Sequence, residues 1–378
     1  MKLERKQLVR TAVRENNTKR PYLLVNPSQG KHVPVAPRTA LQLFSVLAEQ
    51  VQKQVGTTAP VLIIAFAETA TAIGAAVAAK LKNPTVFMQT TREVTNPNPY
   101  LCFSETHSHA AEQYITRDGL EPALQWAEHV VFVEDEVTTG NTILHLMDVL
   151  KEQYAVEKVT FGVASILNGM TEKSRECYTA RGIWTRYLLH TDNAAMERTL
   201  GQYDCQGDKY PVCTACTQTP DILEVWGMPN IRSCAWPADA YQEACEALAQ
   251  TICEMAPTDV QNILILGTEE CMYPGLWAGY QLEQRGHTVS FHATTRSPIQ
   301  PSTEPDYPLH SRYTLQSLYD SKRVTYVYDL AVYDYVCIVT DAPEPQKNGL
   351  SSLLSALEQA GNTRMTVFHW KSKYWRSI

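Results

Sequence analysis

The thirteen residues Val130–Thr142, reading V-V-F-V-E-D-E-V-T-T-G-N-T, constrain the fold more than any other stretch of the chain. Val130–Val133 are apolar and mostly β-branched, with no alternation of polar residues, so they read as a strand buried on both faces, as in a parallel sheet covered by helices. Glu134 and Asp135 are then expected to emerge at its carboxyl end, the edge where open α/β sheets hold ligands. Thr138, Thr139, Gly140, Asn141 and Thr142 follow. After them Ile143, Leu144, Leu146, Met147, Val149 and Leu150 recur with the period of a helix packed on the sheet. The loop thus sits at a helix N-terminus, where unpaired N–H groups and the helix dipole favour an anion. Gly140 permits close backbone approach and the threonines add hydroxyl donors. The expected ligand group is a phosphate.

Two carboxylates beside a phosphate would repel a bare anion, so they must face donors or a cation, and ribose hydroxyls and Mg²⁺ suit them. The segment resembles the 5-phosphoribosyl-1-pyrophosphate (PRPP) signature of type I phosphoribosyltransferases of the orotate phosphoribosyltransferase-like kind: an apolar strand, two acids, then T-T-G-x-T. The resemblance implies that Glu134 and Asp135 hold the ribose 2′- and 3′-hydroxyls, that Thr138–Thr142 hold the 5′-phosphate, and that Mg²⁺ is bound through PRPP and Asp135. Without a ligand, the same letters describe a strand, a turn and an N-capped helix.

At 378 residues, 44% of them hydrophobic, the chain can form two ordinary domains. A net charge of -7 and a pI near 5.8 argue against a nucleic-acid platform, which needs clustered Lys and Arg. Small-molecule substrates are expected instead. Val61–Ala79 is apolar enough to suggest a membrane span, yet it carries Glu68, Thr69 and Thr71, and reads as strand, loop and helix. The basic start, residues 1–19, lacks an apolar signal core, and a cytoplasmic location without membrane association is expected.

Strands are expected at Tyr22–Val25, Val61–Phe66, Thr85–Met88, Val130–Val133 and Lys158–Ala164, with helices between them. This is the pattern of an α/β domain with a mostly parallel sheet flanked by helices, spanning residues 20–200. Ala67, Glu68, Thr69, Ala70 and Thr71 follow the strand Val61–Phe66 and make a second anion loop. The resemblance assigns pyrophosphate to this loop. Glu68 fits such a loop if it faces Mg²⁺ or an orienting donor, and fits equally as a first-turn acid beside a capping threonine.

The long segment Gln89–Asp118 carries T-T-R-E and E-T-H-S-H, and the family has a loop here that closes over the reaction centre. Arg92, Glu105, His107 and His109 are therefore candidates to meet pyrophosphate or substrate, with Arg92 offering a planar fork of donors. The alternatives are that the two histidines and Glu105 bind a metal, or that the loop is simply exposed. Upstream, Lys31 and His32 in N-P-S-Q-G-K-H-V-P-V are candidates for the hood that covers the acceptor, although a hairpin turn accounts for the same letters.

The second half of the chain echoes the first. V-L-I-I-A-F-A-E-T at Val61–Thr69 returns as I-L-I-L-G-T-E-E at Ile263–Glu270. F-M-Q-T-T-R-E at Phe87–Glu93 returns as F-H-A-T-T-R-S at Phe291–Ser297. V-V-F-V-E-D ending at Asp135 returns as V-C-I-V-T-D ending at Asp341. Residues 238–378 are therefore expected to be a degenerate copy of the same α/β fold. Its T-D-A-P-E-P-Q-K-N-G lacks the hydroxyl donors of the first copy and is not expected to hold PRPP in the same way. Two unrelated α/β domains with similar letters are the competing explanation.

Thr295-Arg296-Ser297-Pro298 resembles the TRSP domain, which accompanies a phosphoribosyltransferase domain in bacterial gene clusters linked to tellurium resistance and stress. With A-E-T-A-T, K-H-V-P-V and E-x-H-S-H, the resemblance covers most of the chain and implies biosynthesis of a nucleoside-like metabolite. Gly267, Thr268, Glu269, Glu270, Met272, Tyr273, Thr294, Thr295, Arg296 and Ser297 are candidates for a second ligand pocket. Between the domains, in a connector at 201–237, Cys205, Cys213, Cys216 and Cys234 suit either Zn²⁺ or buried free thiols.

The expected activity is Mg²⁺-dependent transfer of a 5-phosphoribosyl group from PRPP to a base-like nitrogen acceptor, in a homodimer or an intramolecular pseudo-dimer. The alternatives are a non-catalytic PRPP- or nucleotide-sensing regulator and a ribosyl-bond hydrolase or phosphorylase.

Overall fold

The computed structural model describes residues 4–15, 17, 20–93, 100–103 and 113–372. The chain forms two compact units, one comprising Gln42–Thr191 with Pro229–Ala244, the other Met1–Leu41, Asp192–Met228 and Cys245–Ile378. Each is an α/β structure built on a parallel sheet.

In the unit holding the acid pair, five parallel strands run in the order Thr85–Gln89, Val61–Ala65, His129–Val137, Thr160–Asn168 and Trp184–His190. The two-residue strand Trp236–Pro237 is added antiparallel beside the first. Val130–Val133 are fully buried, as continuous apolar character requires of a central parallel strand. On one face Phe132 packs against Phe66 and Phe161, with ring centroids 6.1 and 6.0 Å apart, and Ile143, Leu146, Met147 and Leu150 of the helix Asn141–Gln153 join the same core. The helix Thr71–Lys80 lies so close to Val61–Ala65 that a Cβ on Gly74 would sit 2.3 Å from that of Ala65. Only glycine allows that approach, which fixes where the N-terminus of this helix stands over the sheet edge.

The strand Val61–Ala65 has the next strand in sequence on one side and His129–Val137 on the other. The connections after these two strands therefore diverge to opposite sides, and the crevice between their carboxyl ends is the switch point where open sheets bind ligands. Ala65 pairs with Val133 and its strand stops, whereas the strand His129–Val137 continues, keeping Glu136 paired with Leu167 and Val137 with Asn168. The strand is thus longer than expected, and Glu134, Asp135 and Glu136 lie on a stretch with a neighbour on one side only.

In the other unit all five strands of the main sheet are parallel, in the order Thr288–Ala293, Asn262–Gly267, Tyr335–Thr340, Met365–Ser372 and Asp221–Met228. The first four occupy the places that Thr85–Gln89, Val61–Ala65, His129–Val137 and Thr160–Asn168 occupy in their own sheet. The echoed letters therefore mark equivalent strands. The fifth place is filled differently: Trp184–His190 comes last in sequence of the five parallel strands of its sheet, whereas Asp221–Met228 precedes the four strands it completes.

Residues 1–41 do not extend the acid-bearing unit, as a boundary at residue 20 would require. The strand Tyr22–Val25 forms as expected but pairs antiparallel with Arg10–Val13, and both belong with the TRSP-letter half of the chain. The reason is a set of specific contacts. Val35 bridges Phe291, Arg14 bridges Ile299, and the buried Lys31 ammonium donates to the carbonyl oxygens of Glu269 (2.7 Å) and Thr294 (2.9 Å). The connector expected at 201–237 is likewise divided, since Pro229–Ala244 packs in the acid-bearing unit. Among the described residues no helix is long and apolar enough to cross a membrane.

Candidate active site

Glu134 and Asp135 stand at the switch-point edge, each partly accessible. The Glu134 carboxylate accepts the Asp135 backbone N–H at 3.0 Å. Burial, and after it the neighbouring Asp135 charge, hold the Glu134 acid well above the ordinary glutamate range, while the Arg92 guanidinium pulls the other way. Arg92 therefore shares the field of the acid pair, as expected for a residue at the end of the adjacent connection. Two acids in one crevice titrate as a coupled pair, in which the Glu134 proton is held more tightly than in an isolated glutamate.

Past the acids the loop turns sharply. Gly140 has φ 82°, and a Cβ there would lie 2.4 Å from the Tyr178 hydroxyl, so both backbone and packing demand glycine. Thr139, Asn141 and Thr142 are exposed and Thr138 is half-buried. The Asn141 N–H points to the Thr139 hydroxyl at 3.3 Å, and the helix Asn141–Gln153 begins at once. The loop thus brings the Thr138, Thr139 and Thr142 hydroxyls to the N-terminus of a thirteen-residue helix, whose dipole favours an anion.

Across the crevice lies Ala67–Thr71. Its Ala67–Glu68 peptide is cis, and the Ala67 N–H donates to the Thr90 hydroxyl at 2.8 Å. The Thr71 hydroxyl donates to the Glu68 carbonyl at 3.2 Å. Glu68 and Thr71 are buried and Thr69 is partly open. The loop is therefore braced by the T-T-R segment that also carries Arg92. Sequence reasoning did not find the roles of Thr90 and Tyr178, which act on backbone groups far away in the chain. The doubled T-T-R was the available signal for Thr90, and nothing local signals Tyr178.

Glu105, His107 and His109 lie outside the described residues. The segment that contains them is framed by the antiparallel pair Tyr100–Cys102 and Tyr114–Thr116, and Tyr114 also bridges Thr91. Its base is therefore tied beside Arg92. Ser233 accepts the Thr116 hydroxyl at 3.0 Å and the Ala235 N–H donates to Asp118 at 3.2 Å, so part of the expected connector braces this base. Within the same unit a cavity of about 810 Å³ is lined by residues that include Pro84, Trp126, Trp236 and Pro237, and not by the acids.

Lys31 and His32, the expected hood residues, are buried, and Lys31 ties two backbone carbonyls of its own unit. The second-pocket candidates do come together at the carboxyl edge of their own sheet, but they bind one another. Glu269, at φ 49°, accepts from Arg296 Nε (2.8 Å), Arg323 Nη1 (3.2 Å) and the Ser317 hydroxyl. Glu270 accepts from Arg296 Nη2 at 3.4 Å, and the Tyr319 hydroxyl donates to Asp341 at 2.6 Å. Gly267, Thr268, Thr294, Thr295 and Tyr273 are buried around them.

Among the described residues no three His, Cys, Asp or Glu side chains gather to hold a metal ion. The connector cysteines do not assemble as a zinc set. Cys234 packs in the acid-bearing unit, whereas Cys205, Cys213 and Cys216 belong to the other, where the Cys216 thiol donates to the Gln218 carbonyl.

Residues 8–184 match the family model described as phosphoribosyl transferase. Residues 235–357 match the model of the TRSP domain that lies C-terminal to it. No curated protein matches the sequence. Among solved structures, adenine phosphoribosyltransferase from Rhodothermus marinus is 16% identical, with 49% of this chain and 96% of that one covered at a TM-score of 0.35. The enzyme from Giardia lamblia complexed with 9-deazaadenine is 13% identical over 49% of this chain and 94% of that one, TM-score 0.34. That from Trypanosoma brucei in complex with AMP, pyrophosphate and ribose-5-phosphate is 15% identical over 48% and 76%, TM-score 0.34.

Proposed function

Since this chain is a phosphoribosyltransferase carrying a C-terminal TRSP domain, we propose that it transfers the 5-phosphoribosyl group of PRPP to a nitrogen of a base-like acceptor and releases pyrophosphate. The product is a nucleotide, formed on the way to a nucleoside-like metabolite. The observation that carries this reading is the crevice itself: an acid pair and a hydroxyl-rich helix N-terminus face a second braced loop, with Arg92 in the field of the acids.

In this reading Thr138–Thr142 receive the 5′-phosphate through N–H and hydroxyl donors. The Glu134 and Asp135 carboxyl groups meet the ribose hydroxyls. Ala67–Thr71 and Arg92 receive the pyrophosphate. As the anomeric bond lengthens, positive charge grows on the ring and negative charge on the leaving oxygen. The fixed Asp135 carboxylate lies near the first and the Arg92 guanidinium near the second, so these residues act by position and charge.

Mg²⁺ suits the donor set. It prefers hard oxygen ligands, commonly takes one or two carboxylates and completes its shell with phosphate oxygens and water, which fits an edge that offers the Glu134 and Asp135 carboxylates. Bound through Asp135 and PRPP, it would neutralise charge on the pyrophosphate. Pyrophosphate release from PRPP in the presence of a panel of nitrogenous bases tests the proposal. Turnover with at least one base is expected, lost roughly a hundredfold in Asp135→Asn. Near-normal turnover in that variant would contradict the assignment.

A further inference from the structure

Tyr178 lies 38 residues beyond the phosphate loop in sequence, on the helix Glu172–Ala180, yet its hydroxyl donates to the Gly140 carbonyl at 2.7 Å. Its ring is almost wholly buried in the apolar core, 1% exposed, where a hydrogen bond is electrostatically stronger than in water. The Gly140 carbonyl already accepts the Leu144 N–H at 3.0 Å, as a helix-capping carbonyl should. The second donor does something else. A trans peptide is planar, with C=O and N–H pointing in opposite directions, so anchoring the Gly140 oxygen fixes where the Asn141 N–H aims. That N–H faces the Thr139 hydroxyl, the side of the loop on which its donors converge.

We infer that Tyr178 is a positioning residue for the phosphate loop: by holding the Gly140 carbonyl it orients the Gly140–Asn141 peptide so that the Asn141 N–H points at the 5′-phosphate. The inference rests on the PRPP reading above. The positive φ of Gly140 and the 2.4 Å that would separate a Cβ there from the Tyr178 oxygen belong to the same device, since the loop can approach this hydroxyl only at a glycine. Burial pushes the phenol well above its ordinary pKa, so it remains a donor throughout the neutral range.

The test is calorimetric titration of the full chain and of Tyr178→Phe with three probes: PRPP with Mg²⁺, ribose 5-phosphate, and pyrophosphate with Mg²⁺. The variant is expected to bind PRPP and ribose 5-phosphate about fivefold more weakly, the usual scale of one intramolecular hydrogen bond. Its pyrophosphate affinity should stay within about twofold, because pyrophosphate meets a different loop. Replacing Tyr178 by p-aminophenylalanine, which restores a donor, should recover binding of the two phosphosugars, and this comparison holds even if the phenylalanine variant melts early. Unchanged ribose 5-phosphate affinity in Tyr178→Phe, or equal weakening of all three probes, would overturn the positioning role. If the wild-type chain binds neither phosphosugar, the PRPP reading itself falls. If it binds both and the variant matches it, only the role of Tyr178 falls.

Discussion

Glu134 and Asp135 are adjacent in sequence and share one crevice. Burial and the Asp135 charge raise the Glu134 pKa, and this has a consequence for stability. Above the ordinary glutamate pKa, about 4.3, the unfolded chain releases this proton while the folded chain retains it. The folded state then binds more protons, so stability falls as pH rises from that value through the folded pKa. Glu134→Gln, which keeps an oxygen to accept the Asp135 N–H, is therefore expected to melt higher than wild type near neutrality and to lose that advantage at about pH 4. A gap in melting temperature that persists unchanged on acidification would contradict it. The acid pair and the threonine loop were legible because each residue type states its chemistry locally. Tyr178 and Thr90 were not, because their partners are backbone atoms brought near only by folding.

At the scale of elements, the strand, loop and helix around Val130–Thr142 were legible from apolar run, turn chemistry and helical period. Two things were not. The strand His129–Val137 runs through the acids because pairing with Thr160–Asn168 continues after Val61–Ala65 has ended, and register is not written in one strand. The loop Ala67–Thr71 is held from outside by Thr90, whose hydroxyl accepts the buried Ala67 N–H. Thr90→Val keeps the volume and removes the acceptor, leaving that N–H unsatisfied at a cost of about 1–3 kcal/mol. Pyrophosphate binding is expected to weaken more than ribose 5-phosphate binding, the reverse of the pattern for Tyr178→Phe. Titration with the two ligands decides, and equal weakening of both would show that the brace serves the fold alone.

For the whole molecule, the echoed letters anticipated two sheets of one design, and the strand orders agree at four places. The fifth strand of the TRSP-bearing unit, Asp221–Met228, comes from before the repeat, which a comparison of letters in sequence order cannot reveal. Nor does local sequence show that residues 1–41 fold with that unit, because the contacts that decide it, such as Lys31 with the Glu269 and Thr294 carbonyls, span most of the chain. Lys31→Met keeps the apolar stem and removes the donor, so it is expected to lower stability by about 2 kcal/mol while leaving PRPP affinity unchanged. Denaturation beside PRPP titration separates this from a role in ligand binding, which would weaken affinity without loss of stability. The central claim is that the crevice at Glu134, Asp135 and Thr138–Thr142 binds PRPP. Calorimetric titration of the intact chain with PRPP and Mg²⁺, beside Asp135→Asn, tests it most directly. Saturable binding that is lost or much weakened in the variant is the predicted result, and equal binding by the two proteins, or none by the wild type, would contradict it.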